Sequence, residues 1–186
     1  MGDATNFFPE DLLYGYEHIQ KLTQRFTTPN GVFGTKAHFL QVINFVGIDR
    51  LESLYPAPLK YISLRRQDVT RQGISLARAI QTNSYNSEMK PSRAPVYNYH
   101  QIMQCIREIR IDAKGWETYF QQRRIDPYRV VYEDFVNHQQ ETVKGILGYL
   151  GIDIPVGFHT TTATQQKQAD SITEKWLGKF ERGEQE

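Results

Sequence analysis

The stretch YISLRRQDVTRQGIS, residues 61–75, decides the fold. It opens with an apolar run, Tyr61 to Leu64, that suits a strand, and passes into two adjacent arginines, Arg65 and Arg66. The period then changes. Beyond Asp68, the residues Val69, Gly73, Leu76, Ala77 and Ile80 recur three and four apart, which predicts one face of a helix. Asp68 stands where an N-cap belongs, since its carboxylate can accept from the unpaired N–H groups of the first turn. A strand handing over to a helix, with a charged pair at the junction, is the building pattern of an α/β protein.

The rest of the chain repeats that alternation. Leu12, Tyr16, Ile19, Leu22 and Phe26 mark a helix, which TTPNG (27–31) breaks. VFGTKAHF from Val32 reads as a short strand, with a turn of helix from Leu40 to Val46 behind it. Residues 83–96 have no period and read as a polar loop, ahead of a long helix carrying Tyr99, Ile102, Ile106, Ile109, Trp116 and Phe120 on one stripe. YRVVYEDF from Tyr128 reads as a third strand. Val136, Val143, Ile146, Leu147 and Leu150 predict the next helix, ended by Gly151, and Ala169, Ile172, Trp176 and Phe180 predict the last. Strands that are almost continuously apolar, separated by helices, predict a parallel sheet of about three strands covered on both faces.

Bulk properties narrow the function classes. A chain of 186 residues is the size of a single domain and can bury a core without staples. With 22 Lys and Arg against 21 Asp and Glu, the net charge of +1 gives no global pull toward nucleic acid or a membrane surface, so any anion site is local. The single cysteine, Cys105, has no internal disulfide partner, and MGDATN is not a secretory leader, so a reducing cytoplasmic compartment is expected. No stretch approaches the roughly 20 apolar residues of a membrane span.

Three motif-like stretches fail on context. GISLA (73–77) imitates a nucleophile elbow, but that serine must stand on a sharp turn directly after a strand, and Ser75 falls inside a helix. GVFGTK (31–36) lacks the phosphate-loop spacing and has no strand before it. The histidines, His18, His38, His100, His138 and His159, have no ligand spacing, so no metal site is expected.

The arginine pair carries more. In a parallel α/β sheet, ligands bind beyond the carboxyl ends of the strands, and Arg65 and Arg66 stand at such an end. A guanidinium fork suits a phosphate, and Ser75 can add a hydroxyl to an anion lying along the opening turns of the helix. The competing possibility is that the arginines pair with Asp68 or Glu133 as ordinary surface charges.

LRRQDVTRQGISLARAIQT (64–82) resembles the strand and helix of bacterial sulfotransferases of the trehalose-sulfotransferase type, which use 3′-phosphoadenosine 5′-phosphosulfate (PAPS). NGVFGTKAHFLQ before it agrees in the same order, as do VVYEDFV, ILGYLGI and KQADSITEKW after it. The resemblance implies a nucleotide-binding fold related to the P-loop proteins and transfer of a sulfuryl group from PAPS to a hydroxyl acceptor, a small molecule or carbohydrate. It also implies that Arg66 and Ser75 hold the 3′-phosphate, with Arg65 as a helper and Lys167 as a further nucleotide contact. Lys36 and His38 become candidates for the acceptor side.

The pattern departs from that family in two places. The strand and Ser/Arg/Gly-rich loop expected to cradle the 5′-phosphosulfate do not precede Gly2, so residues 1–186 are expected to form one sulfotransferase-like domain truncated at its N-terminus. Its sheet would lack the first strand, and an uncovered edge would favour a homo-oligomer. Asn6 falls where the family carries its general base, and an amide cannot accept a proton near neutral pH. The alternative to an enzyme is therefore a catalytically inactive remnant that binds a nucleotide or a partner.

Overall fold

The computed structural model describes residues 15–55, 57–85, 89–160 and 171–185. Their contacts gather into two compact units. The first comprises residues up to Tyr61 together with Lys114–Arg124, and the second Ile62–Ala113 together with the residues from Ile125 onward.

The first unit holds helices α1 (Gly15–Phe26) and α2 (Phe39–Phe45), and two single 3-10 turns, Ile48–Arg50 and Glu52–Leu54. It also holds the C-terminal part of α4 (Tyr99–Arg123). Aromatic packing holds it together. Trp116 stacks on Phe120 at 5.6 Å and meets Phe39 edge-on at 5.7 Å, and Tyr61 packs on Phe120 at 5.4 Å. The polar tips of this cluster are also paired. The Tyr61 and Tyr119 hydroxyls lie 3.2 Å apart, and Tyr119 donates to Glu52 at 3.2 Å. Residues 32–38, expected to be a strand, have no regular structure and no ladder partner among the described residues. The described sheet therefore has two strands rather than three.

Those strands lie in the second unit. β1 (Ile62–Arg65) and β2 (Tyr128–Val131) pair in parallel, with Ile62 opposite Tyr128 and Arg65 opposite Val131. α3 (Val69–Thr82) follows β1, and the Asp68 carboxylate accepts from the Arg71 N–H at 2.8 Å, the expected cap. β2 stops at Val131, so YRVVYEDF is a strand for only its first half. From Tyr132 the chain turns into α5 (Tyr132–Asn137), breaks at His138 and continues as α6 (Gln139–Leu150), closed by Gly151 at φ 75°. The left-handed conformation there is one that glycine adopts without a steric penalty.

The core of this unit forms where α3, the N-terminal part of α4 and α7 (Ser171–Glu181) meet: Ile74, Ala77, Ile102, Cys105, Ile106 and Trp176. Ile74, Ala77 and Ile102 are completely buried. Trp176 packs edge-on against Tyr97 at 5.7 Å, and Phe180 stacks on Tyr99 at 5.0 Å. Arg71 and Arg78 of α3 reach Glu174 and Thr173 of α7. Both faces of the sheet were expected to be covered. Instead Ile62 is 43% and Leu64 59% exposed, so among the described residues that face of β1 is open.

Candidate functional site at the carboxyl ends of the strands

Because Arg65 pairs with Val131, the two strands end in register and the next residues, Arg66 and Tyr132, step off the sheet side by side. The Arg66 guanidinium lies over the Tyr132 ring, 3.9 Å from its centroid. At this distance the cation meets the electron-rich face of the ring, and the guanidinium N–H groups lie in the plane of the guanidinium itself. Glu133, in the first turn of α5, reaches across to the junction between β1 and α3. Its carboxylate accepts from the Gln67 N–H at 3.1 Å and the Asp68 N–H at 3.5 Å. Partial burial pushes the Glu133 carboxyl up. The N–H groups of Gln67, Glu133 itself and Asp68, with the Arg66 charge, outweigh that effect and leave it below the usual range.

The two arginines sit differently, and the Arg66 charge is felt by Glu133, one of the two carboxylates weighed as its partner. Arg66 is half-buried and built against an aromatic ring, whereas Arg65, the last residue of β1, is exposed. Ser75 lies inside α3, about two turns beyond its cap and half-buried, so it is not on a nucleophile elbow. Lys36 and His38 belong to the first unit, where both are exposed. The His38 N–H donates to Gln41 at the start of α2, 3.1 Å away. Asn6 and Lys167 lie outside the described residues.

The described part of the polar loop after α3 is tied back to that helix. Ser92 N–H donates to Thr82 O at 2.8 Å, Val96 N–H to the Gln81 side chain at 2.7 Å, and the Arg93 guanidinium to Gln81 O. These bonds pin its described part to the C-terminal end of α3. A helix of 14 residues is about 21 Å long, so this end is far from the Arg66 junction.

Sequence reasoning missed Tyr132, and it offered Glu133 only as a surface ion partner of the arginines, not as an acceptor for the backbone of the junction. Both sit in VVYEDFV, but their partners are 65 or 66 residues away, and only the parallel register brings them to Arg66. Among the described residues, no group of His, Cys, Asp and Glu could hold a metal ion, and no helix is long and apolar enough to cross a membrane.

Comparison with known families places the chain as a whole. Residues 9–183 match the model of the family described as Stf0 sulphotransferase. The chain belongs to that family. Two trehalose 2-sulfotransferases are among the similar proteins. That of Mycolicibacterium smegmatis is 25% identical over 173 residues, covering 85% of this chain and 64% of its own length. That of Mycobacterium tuberculosis is 25% identical over 122 residues, covering 64% of this chain and 45% of its own. This Stf0 chain thus matches somewhat under two thirds of one relative and under half of the other.

Proposed function

We propose that this Stf0 chain binds PAPS at the junction of β1 and α3 and takes part in transfer of its sulfuryl group to a hydroxyl acceptor, a carbohydrate or other small molecule. The observation that carries the proposal is the Arg66 guanidinium, held at the carboxyl end of a parallel strand over the face of the Tyr132 ring. The chemistry of the assigned residues suits a nucleotide bearing a 3′-phosphate. Arg66 supplies an in-plane donor edge, Ser75 a hydroxyl on the following helix, and Arg65 a second cation on the adjacent strand residue. Lys167 is assigned a supporting contact to the nucleotide, and Lys36 and His38 the acceptor side.

PAPS supplies an activated sulfuryl group: the acceptor oxygen forms a bond to sulfur as the bond from sulfur to the 5′-phosphate oxygen breaks. The acceptor proton leaves to a base, and 3′-phosphoadenosine 5′-phosphate departs with the electron pair. This chain's residues hold the nucleotide still while that happens, and alignment is the main source of catalysis in such transfers. The lone Cys105, buried and without an internal partner, suits a cytoplasmic setting.

A second function, nucleotide binding without turnover, is favoured by the amide at Asn6, where the family pattern places a carboxylate. Calorimetry with 3′-phosphoadenosine 5′-phosphate and with AMP tests the shared binding step. Preference for the first nucleotide is expected, and equal affinities would refute it. Radiolabelled PAPS then separates the two functions by whether label reaches a sugar acceptor.

A further inference from the structure

We propose that Tyr132 and Glu133 are positioning residues for Arg66: Tyr132 limits which way its guanidinium faces, and Glu133 fixes the backbone turn from which it projects. The inference rests on the nucleotide site proposed above and extends it to two residues on the second strand's exit.

An arginine placed in the single residue between a strand and a turn has many rotamers, and ordering it on ligand binding costs conformational entropy. Tyr132 lowers that cost by holding the guanidinium carbon 3.9 Å from its ring centroid before any ligand arrives. Contact with the ring also limits which way the donor edge faces, because the side of the guanidinium against Tyr132 is closed to other partners. Glu133 acts one step further out. Its carboxylate bridges the N–H groups of Gln67 and Asp68, the two residues that follow Arg66, so the peptide carrying the arginine is tied to α5. These same N–H groups would otherwise be open to an anion at the helix entrance. With Glu133 on them, an incoming phosphate is directed to side-chain donors, of which Arg66 is adjacent. The parallel register makes both contacts possible, because Arg65 and Val131 are opposed and the two chains leave the sheet together.

The test titrates residues 1–186 as wild type, R66A, Y132L and the double variant R66A/Y132L with 3′-phosphoadenosine 5′-phosphate and with AMP. Y132L is expected to weaken the 3′-phosphorylated nucleotide about three- to tenfold, with AMP changed less than about twofold. In the R66A background it is expected to add nothing, because its effect passes through the arginine. Y132F, which keeps the ring, should restore wild-type affinity. E133Q keeps an acceptor for the Gln67 N–H but loses the charge and should show a smaller version of the same selective loss. It also serves if Y132L does not fold. Equal weakening of both nucleotides, additivity with R66A, or no effect of Y132L and E133Q while R66A weakens binding would each overturn the positioning role and leave the nucleotide site standing. Wild-type affinity in R66A itself would instead sink the nucleotide site, and the inference with it.

Discussion

Gly73 of α3 faces Ile106 of α4 so closely that a Cβ at position 73 would run into the isoleucine side chain. This contact explains a misleading feature of the sequence. The glycine that made GISLA look like a nucleophile elbow is there for helix packing, within a core whose central residues, Ile74 and Ile102, are completely buried. Gly73→Val is therefore expected to overpack this contact, at a cost of about 1–3 kcal/mol and a melting temperature about 2–10 °C lower. Thermal unfolding followed by circular dichroism measures it. An unchanged melting temperature would mean that α3 and α4 are further apart than described.

Arg66 should dominate recognition of the 3′-phosphate. A charge-assisted hydrogen bond to phosphate is worth about 1.5–3 kcal/mol, so Arg66→Ala is expected to weaken 3′-phosphoadenosine 5′-phosphate binding about ten- to a hundredfold. AMP, which lacks that phosphate, should bind the variant as it binds the wild type. Arg66→Lys is expected to recover only part of the loss, because an ammonium offers no planar fork of donors. A lysine variant indistinguishable from the wild type would show that charge alone is used.

Asp68 offers a separate test of the junction. Its carboxylate accepts from the Arg71 N–H at 2.8 Å and also lies 3.0 Å from the Arg71 Nε. The first bond caps α3, while the second joins two partly exposed side chains and contributes little. Asp68→Ala should cost about 1 kcal/mol and Asp68→Asn much less, since an amide oxygen still caps. Chemical denaturation distinguishes them. Equal losses would move the stabilisation from the cap to the ion pair.

These elements differ in how legible they were. α3, α4 and α7 were readable because each buries a stripe whose spacing survives in the sequence, as Ile102 and Ile106 do, or Trp176 and Phe180. The end of β2 was not. Tyr132 and Phe135 are good strand formers, so local preference carried the strand onward, whereas its length is set by β1, which ends at Arg65 opposite Val131. Val32 to His38 failed for the same reason: β-compatible residues make a strand only when a neighbour offers its N–H and C=O groups. At the candidate site, Arg66 and Ser75 could be singled out because they lie within one strand-helix unit. Their neighbours Tyr132 and Glu133 arrive through pairing of distant strands, which no local spacing encodes.

Glu133 connects the site to pH. Its carboxyl is held below the usual glutamate range because the Gln67 and Asp68 N–H groups and the Arg66 charge outweigh the opposing effect of partial burial. A depressed carboxyl pKa means that the native state binds the proton less readily than the unfolded chain does. The stabilisation from Glu133 is therefore complete above the ordinary carboxylate range and is lost as pH falls through the lowered native value. Wild type should melt higher than E133Q near pH 7, and the gap should close as the solution is taken down through and below the ordinary glutamate range. Other carboxylates, such as Glu174 beside Arg71, titrate in both proteins and cancel in the difference. A gap that stays constant from neutral to acid pH would show that the Glu133 charge does not brace the turn, and that only the shape of its side chain matters there.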